Sequence, residues 1–340
     1  MATRYIDKVP NLAAIVNRPD AAGIGMYGGA LYANLSGTPF LIAANPAGKY
    51  YYVDANSGSD SDDGRSWEGA FLTMSKAFTS VASGDTIVFR GKIREQLTTP
   101  VQVFDVTVIG AGNRPRHADS TPTGGELAAA TWTTPASGAT TAPLVKVLQQ
   151  GWHFENILFA GPTDHACINL FRDAGSGNDE RDASHAVIRN CRFASGQDGI
   201  HITEVFNTLI ENNIFMGMTG HDIKGVAGSG VANPLQGTVR NNVFIGSANH
   251  FYVTCSKWII SGNFFDDGET PTTTVVCDTV GSGVGAANNF VVGNYFQTST
   301  ANFNSPDVVG TATDVWAVNA SIDSTAAGVG GSFEWGNPAG

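Results

Sequence analysis

Four polar residues with the chemistry of acids, bases and metal ligands recur at one place in neighbouring repeats of the chain. They are Asp198 in the segment DGI, His221 and Asp222 in HDI, and His250 in NHF. Each precedes, by one or two positions, an apolar residue that we expect to face a core. Carboxylates and histidines brought together can exchange protons with a bound molecule, bind a sugar or hold a metal ion. Ordinary turn residues are the competing interpretation of the same set.

The four residues meet only if the repeats stack, and a second pattern indicates that they do. A short apolar phrase recurs, spelled HFENILF at 153–159, VIRNCRF at 187–193 and LIENNIF at 209–215. The spacings between its six aromatic positions are 34, 22, 29, 21 and 31 residues. A period of this size is typical of a solenoid. The aromatic positions are Phe159, Phe193, Phe215, Phe244, Phe265 and Phe296.

The residue types within the phrase indicate strands. Each phrase is short, rich in β-branched or aromatic residues, and followed by a Gly-rich turn. Parallel strands stacked at about 4.8 Å per rung would place the phenylalanines in a ladder inside a coil. Asparagine tolerates left-handed backbone, so we expect a second ladder at the bends three residues earlier. Its members are Asn156, Asn190, Asn212 and Asn241.

These patterns predict an all-β fold, a single-stranded parallel β-helix of about eight rungs. The coil is expected over 49–325, with a capping helix at 71–82 and a long insertion at 111–143. Residues 1–48 lack the repeat and are interpreted as an attachment or oligomerisation module, or alternatively as a cap on the chain's own coil. Residues 326–340 form a Gly-rich C-terminal tail.

The composition excludes several classes of partner. Charged residues make up 14% of the chain, against about 25% in typical domains. The 30 acidic and 19 basic residues give a net charge of −11, which argues against nucleic acid and anionic membrane surfaces. The sequence shows neither a signal-peptide core nor an apolar run of about 20 residues. The four scattered cysteines are expected to be buried and free.

The start of the predicted coil resembles a known family. The run YYVDANSGSDSDDGRSW at 51–67, followed by the predicted helix and by SGDTIVF at 83–89, is similar to the opening of pectate-lyase-like right-handed parallel β-helix proteins. The resemblance extends over roughly 50–322 and implies a right-handed coil. It implies no single activity, because this superfamily includes lyases, hydrolases, epimerases, phage tailspikes and inert structural proteins.

Two partial motifs bear on chemistry. The segments GQDGIHI at 196–202 and GHDIKG at 220–225 resemble the Asp and His motifs of polygalacturonase-type enzymes, but Gly199 and Asp222 depart from that pattern. These departures argue against hydrolysis. An acidic loop matches part of a calcium-binding loop, although a solvated turn is favoured and no cofactor is expected. Its residues are Asp54, Asp60, Asp62 and Asp63.

The layout of a non-repeating module followed by a β-helix resembles phage tailspike and head-fibre proteins. We therefore predict a structural protein of a bacteriophage virion: a homotrimeric capsid-decorating protein, or a short fibre or spike. Residues 1–48 would bind a capsid or tail protein, and the coil would contact host-surface glycans. The alternative is a polysaccharide lyase or glycoside hydrolase that acts on an acidic polysaccharide through the four polar residues. The non-enzymatic hypothesis is favoured.

Overall fold

The chain forms two compact units, Met1–Lys49 and Tyr50–Gly340. A computed structural model describes residues 23–27, 30–35, 38–43, 48–112, 130–135, 142–172, 181–225, 234–266, 275–279, 288–298, 308–309, 313–323 and 333–334. Most of the predicted insertion at 111–143 and of the predicted tail at 326–340 lies outside the described residues.

The first unit contains a three-stranded antiparallel sheet. Its strands are Gly23–Tyr27, Ala30–Leu35 and Thr38–Ala43, and the central strand pairs with both of the others. The antiparallel pairing sets this unit apart from the coil, where the pairing is parallel.

The second unit is a coil of three sheets in which strands pair in parallel, except for the antiparallel pair at its end. The described parts of the first, second and third sheets have ten, ten and eight strands. The first sheet contains Tyr50–Asp54, Thr86–Arg90, Thr107–Gly110, His153–Glu155, Val187–Arg189, Leu209–Glu211, Thr238–Arg240, Ile259–Ser261, Phe290–Val292 and Val315–Ala317. The second contains Lys92–Ile93, Thr131–Thr133, Leu158–Ala160, Arg192–Ala194, Ile214–Met216, Val243–Ile245, Phe264–Asp266, Tyr295–Thr298, Ala320–Asp323 and Phe333–Glu334. The third contains Leu97–Thr98, Val145–Val147, Ala166–Phe171, Asp198–Thr203, His221–Gly225, Asn249–Val253, Val275–Asp278 and Val308–Val309.

The six phenylalanines of the repeated phrase form a continuous stack inside the coil, as predicted. Neighbouring ring centroids are 5.1, 4.6, 5.0, 4.6 and 5.0 Å apart along the series from Phe159 to Phe296. Each ring is 1% exposed or less. The four cysteines are also buried, as thiols rather than disulfides. The core therefore runs along the axis of the coil.

The predicted asparagine column at the bend adopts left-handed backbone angles, with φ between 54° and 58°. The continuous side-chain ladder, however, belongs to the next column, which turns inward. There the side-chain amide of Asn213 donates to Asn242 at 3.0 Å, and that of Asn242 donates to Asn263 at 3.1 Å. The ladder continues through Asn294 to Asn319. The outer column thus shapes the bend, and the inner one joins successive turns.

The described helix covers Met74–Ser80, shorter at both ends than the predicted 71–82. Phe71 instead bridges to Val53, and Thr73 caps the helix by accepting a hydrogen bond from the backbone N–H of Lys76. Phe71, Met74 and Phe78 are nevertheless buried, and the ring of Phe78 packs 5.2 Å from the ring of Trp152. No helix in the described part of the chain has the length and apolar character needed to cross a membrane.

Part of the predicted insertion is a strand of the coil. Thr131–Thr133 pairs with Lys92–Ile93 on one side and with Leu158–Ala160 on the other. Trp132 is fully buried, and its ring stacks 6.1 Å from Phe159. The sequence concealed this strand because a tryptophan occupies the position of the phenylalanine and the flanking segments are rich in Pro, Thr and Gly.

Candidate functional site

A group of polar side chains lies together on the third sheet. We call Asp198, His201, His221, Lys224 and Tyr252 the outer cluster. The strand register places Asp198 beside His221, and it places Lys224 between His201 and Tyr252. The side chains of His221 and Lys224 are 18% and 29% exposed. This face of the coil can therefore contact another molecule.

Asp198 holds the cluster together. Its Oδ1 accepts hydrogen bonds from the backbone N–H of His221 at 2.9 Å and from His221 Nδ1 at 3.0 Å. Lys224 Nζ lies 3.9 Å from its Oδ2. Burial by itself would raise the pKa of Asp198, but the contacts with His221 and Lys224 outweigh burial and lower it. The carboxylate is therefore ionised at neutral pH and orients the imidazole.

Aromatic and cationic groups complete the outer cluster. The Tyr252 ring lies 5.3 Å from the His221 ring at an angle of 31°. Burial lowers the pKa of His201, and Asp198 opposes that effect. A ring beside hydrogen-bonding groups and a cation is suited to binding a polar molecule that also has an apolar face, such as a sugar.

The other two predicted residues face the interior. We call Asp222 and His250 the inner pair. Both side chains are 0% exposed, and His250 Nδ1 lies 2.6 Å from Asp222 Oδ2. Ser247 Oγ donates to Asp222 Oδ1 at 2.6 Å, and His250 Nε2 lies 3.1 Å from the carbonyl oxygen of Asp266. Burial raises the pKa of Asp222, in opposition to His250 and Ser247.

The predicted patch of four residues is therefore two separate pairs. The His221 side chain is 18% exposed and the Asp198 carboxylate bound to it is 5% exposed, whereas Asp222 and His250 are 0% exposed and enclosed within the coil. In the strand register Asp198 pairs with His221, whereas Asp222 and His250 occupy the next position of their strands, where the side chains turn inward. Joint catalysis by the four residues is incompatible with this arrangement.

Sequence reasoning missed three members of the outer cluster. His201, Lys224 and Tyr252 each follow directly after a buried apolar residue of a third-sheet strand. The alternation of a strand gives the necessary signal, because the residue after an inward one faces outward. Applied to Ile200, Ile223 and Phe251, that rule identifies the three positions.

The carboxylates of the acidic loop bind groups of the loop itself and of neighbouring segments. Asp54 Oδ2 lies 2.7 Å from Arg90 Nη2, and Asp60 Oδ1 accepts the backbone N–H groups of Leu72 and Thr73. Burial by itself would raise the pKa of Asp54, but hydrogen bonds from Ser57, from the Asn56 amide and from Arg90 lower it to about 2. Among the described residues, no group of three or more His, Cys, Asp or Glu side chains is arranged to hold a metal ion.

The strand register assigns the second unit to the parallel β-helix fold. No family model matches the chain, and no curated protein matches it. The fold assignment rests instead on the pairing of strands on successive turns in three sheets.

Solved structures similar to this chain include an enzyme and two phage proteins. Pectate lyase Pel9A is 13% identical, with a TM-score of 0.48, over 82% of this chain and 71% of its own. ORF18 of Geobacillus virus E2 is 13% identical, with a TM-score of 0.49, over 96% of this chain and 75% of its own. The tailspike of E. coli bacteriophage HK620, solved with a pentasaccharide, is 11% identical, with a TM-score of 0.43, over 71% of this chain and 46% of its own.

Proposed function

We propose that this chain is a structural protein of a bacteriophage virion, a capsid-decorating protein or a short fibre or spike. The first unit attaches it to a capsid or tail protein, the coil projects outward as a homotrimer, and the outer cluster contacts host-surface glycans. The observation that carries the proposal is that polar residues of the repeat bind one another inside the coil. The asparagines of the ladder bind each other across turns, and Asp222 binds His250 across turns.

That arrangement supports a rigid scaffold. Each turn contacts its neighbours through stacked rings and hydrogen-bonded side chains, so stiffness extends along the coil. The first unit differs from the coil in pairing and lies outside the repeat, as an attachment module would. A rigid coil joined to a separate non-repeating unit supports a role in which one part binds a particle and the other presents a surface.

Attachment is tested by deleting residues 1–48 and measuring co-sedimentation with phage particles. We expect the shortened chain to fall to the background level, because the proposed contact with the particle is removed, while circular dichroism still reports the β-rich coil. Asp198→Asn is the matched control, since it alters only the outer cluster and should co-sediment like the wild type. Unchanged co-sedimentation of a folded shortened chain would refute attachment through the first unit.

A second candidate function is cleavage of an acidic polysaccharide, and the outer cluster is the observation that favours it. Asp198 orients His221 through Nδ1 at 3.0 Å, which leaves the second ring nitrogen as the atom for contact with a bound molecule. An oriented histidine beside a carboxylate is an arrangement used in general acid–base catalysis. The outer cluster thus provides both a sugar-binding surface and a histidine in position to transfer a proton.

Glycan contact without cleavage is the outcome we expect on a panel of acidic polysaccharides. Replacing Tyr252 with Ala should weaken binding about two- to twelvefold, because an aromatic contact contributes about 0.5 to 1.5 kcal/mol. Neither reducing nor unsaturated ends should be released. Release of such ends by the wild type, abolished by His221→Asn, would establish the enzymatic alternative instead.

A further inference from the structure

An apolar surface occupies the outer face of the first sheet near the end of the described coil. Ile259, Phe290 and Val315 are direct neighbours in the strand register and are 45%, 49% and 44% exposed. Large apolar side chains exposed in this way on three successive turns form one continuous stripe along the coil. Contiguous exposed apolar surface marks a site of interaction more often than scattered single residues do.

A second column of outward-facing residues on the same sheet, two positions after the first, loses its charged residues at the same turns. Earlier turns carry charges in ion pairs, with Arg189 Nη2 2.8 Å from Glu155 Oε2 and Arg240 Nη2 2.6 Å from Glu211 Oε2. The next three turns carry uncharged residues at these positions. They are Ser261, Val292 and Ala317. The surface therefore loses its charges where its apolar side chains become exposed.

The bend beside this surface gives an independent signal. Preceding turns have Asn or Gly at the left-handed position, but the last described turn has Val318, with a φ of 56° and 69% exposure. A β-branched residue is rarely found with this backbone angle because its side chain crowds the main chain. The exposed Val318 side chain occupies this strained position and extends the apolar surface around the bend. We call Ile259, Phe290, Val315 and Val318 the terminal apolar patch.

We propose that a second copy of this chain covers the terminal apolar patch, with the two coils side by side. The inference rests on the self-association included in the proposed function and identifies its surface. Exposed side chains repeat at the rung spacing of about 4.8 Å, so the same stripe on a parallel copy matches it turn for turn. Each copy has a net charge of −11, and contact between copies is least opposed where the outward columns of the sheet carry no charge.

The size of the patch fits the centre of such an interface. Its four side chains together expose roughly 300–400 Å², given the 150–250 Å² of a large side chain, and a stable interface needs about 800 Å² per partner. The remaining contact would come from the bends on either side. Gly262 and Gly293 occupy the same bend column as Val318 and are exposed, which permits a close approach of the neighbouring backbone on that side.

The test is the mass in solution of the full-length chain, measured by light scattering after gel filtration over a range of concentrations. We expect a defined multiple of the chain mass for the wild type and self-association at least about 30-fold weaker for Phe290→Asp, the loss typical of a central interface residue. Val101→Asp is the matched control, because Val101 is 53% exposed on a different part of the coil, and its mass should be unchanged.

A second variant separates assembly from folding. Val318→Asn restores the residue type of the bend column, so its thermal unfolding temperature should equal or exceed that of the wild type while self-association weakens. A monomeric wild type would overturn both the patch and the proposed homotrimer. A multimeric wild type whose mass neither variant changes would overturn the patch alone and leave self-association standing. Attachment to particles is measured separately and fails independently.

Discussion

Replacing Asn242 with Leu should lower the free energy of unfolding by about 4 kcal/mol or more. The Asn242 amide makes four hydrogen bonds: its Oδ1 accepts from the backbone and side-chain N–H groups of Asn213, and its Nδ2 donates to Ile210 O and Asn263 Oδ1. Leucine fits the volume but bonds to none of these groups. Each polar group left unpaired in the interior costs about 1–3 kcal/mol, and several are left at once.

The adjacent asparagine is the matched control for this prediction. Asn241 occupies the exposed bend with a φ of 55°, and glycine already serves at the equivalent positions 262 and 293. Asn241→Gly should therefore change the free energy of unfolding by less than about 0.5 kcal/mol. Denaturant titrations followed by circular dichroism measure both variants. Equal losses for the two would mean that the inner ladder has no special role in joining the turns.

Replacing Asp222 with Ala should destabilise the coil by about 3–5 kcal/mol, the range for breaking a buried pair. The carboxyl contacts His250 Nδ1 at 2.6 Å and Ser247 Oγ at 2.6 Å, and both contacts would be lost among buried side chains. His250 Nε2 already lies against the Asp266 carbonyl, which accepts but does not donate, so the ring has no alternative partner in that direction.

Asp222→Asn tests whether shape or charge matters within the inner pair. The amide has the same shape and can accept from Ser247 and donate to His250, so we expect less than half of the loss caused by alanine. The measurement is again the free energy of unfolding at neutral pH. If alanine were tolerated as well as asparagine, the inner pair would not support the coil, and its burial would need another explanation.

The phenylalanine stack and the left-handed bend were predictable because each depends on local chemistry repeated many times. Six aromatic residues at one offset define a core column, and asparagine or glycine at a bend indicates a positive φ. The inner ladder was harder to assign. Asn212 and Asn213 are adjacent and identical in type, and residue type does not reveal which of two neighbours turns inward at a bend.

The candidate site was predicted only in part, for a geometric reason. Strands of the third sheet begin at a corner where two consecutive side chains are buried, as with Asp222 and Ile223, and again with His250 and Phe251. Simple alternation fails at such a corner, so the inner and outer residues were assigned to one patch. Farther along each strand the alternation returns, and there the outward positions follow from the sequence.

The helix ends depended on contacts that are distant in sequence. Glu95 accepts the backbone N–H groups of Met74 and Ser75, at 2.8 and 2.9 Å, from 21 and 20 residues away. Asp60 binds the two residues before the helix. The local sequence carries no information about these distant partners, and the contact with Asp60 holds Leu72 and Thr73 just before the helix.

The most direct test of a virion role is the protein content of phage particles. Under the proposed function, particles of a phage carrying this sequence would be purified on a density gradient and analysed by quantitative mass spectrometry and immunoelectron microscopy. We expect the full-length chain in the particle band, at a fixed number of copies per capsid or tail, with antibody label on the particle surface. Recovery of the chain only in the soluble fraction, with particles free of it, would contradict the proposed function.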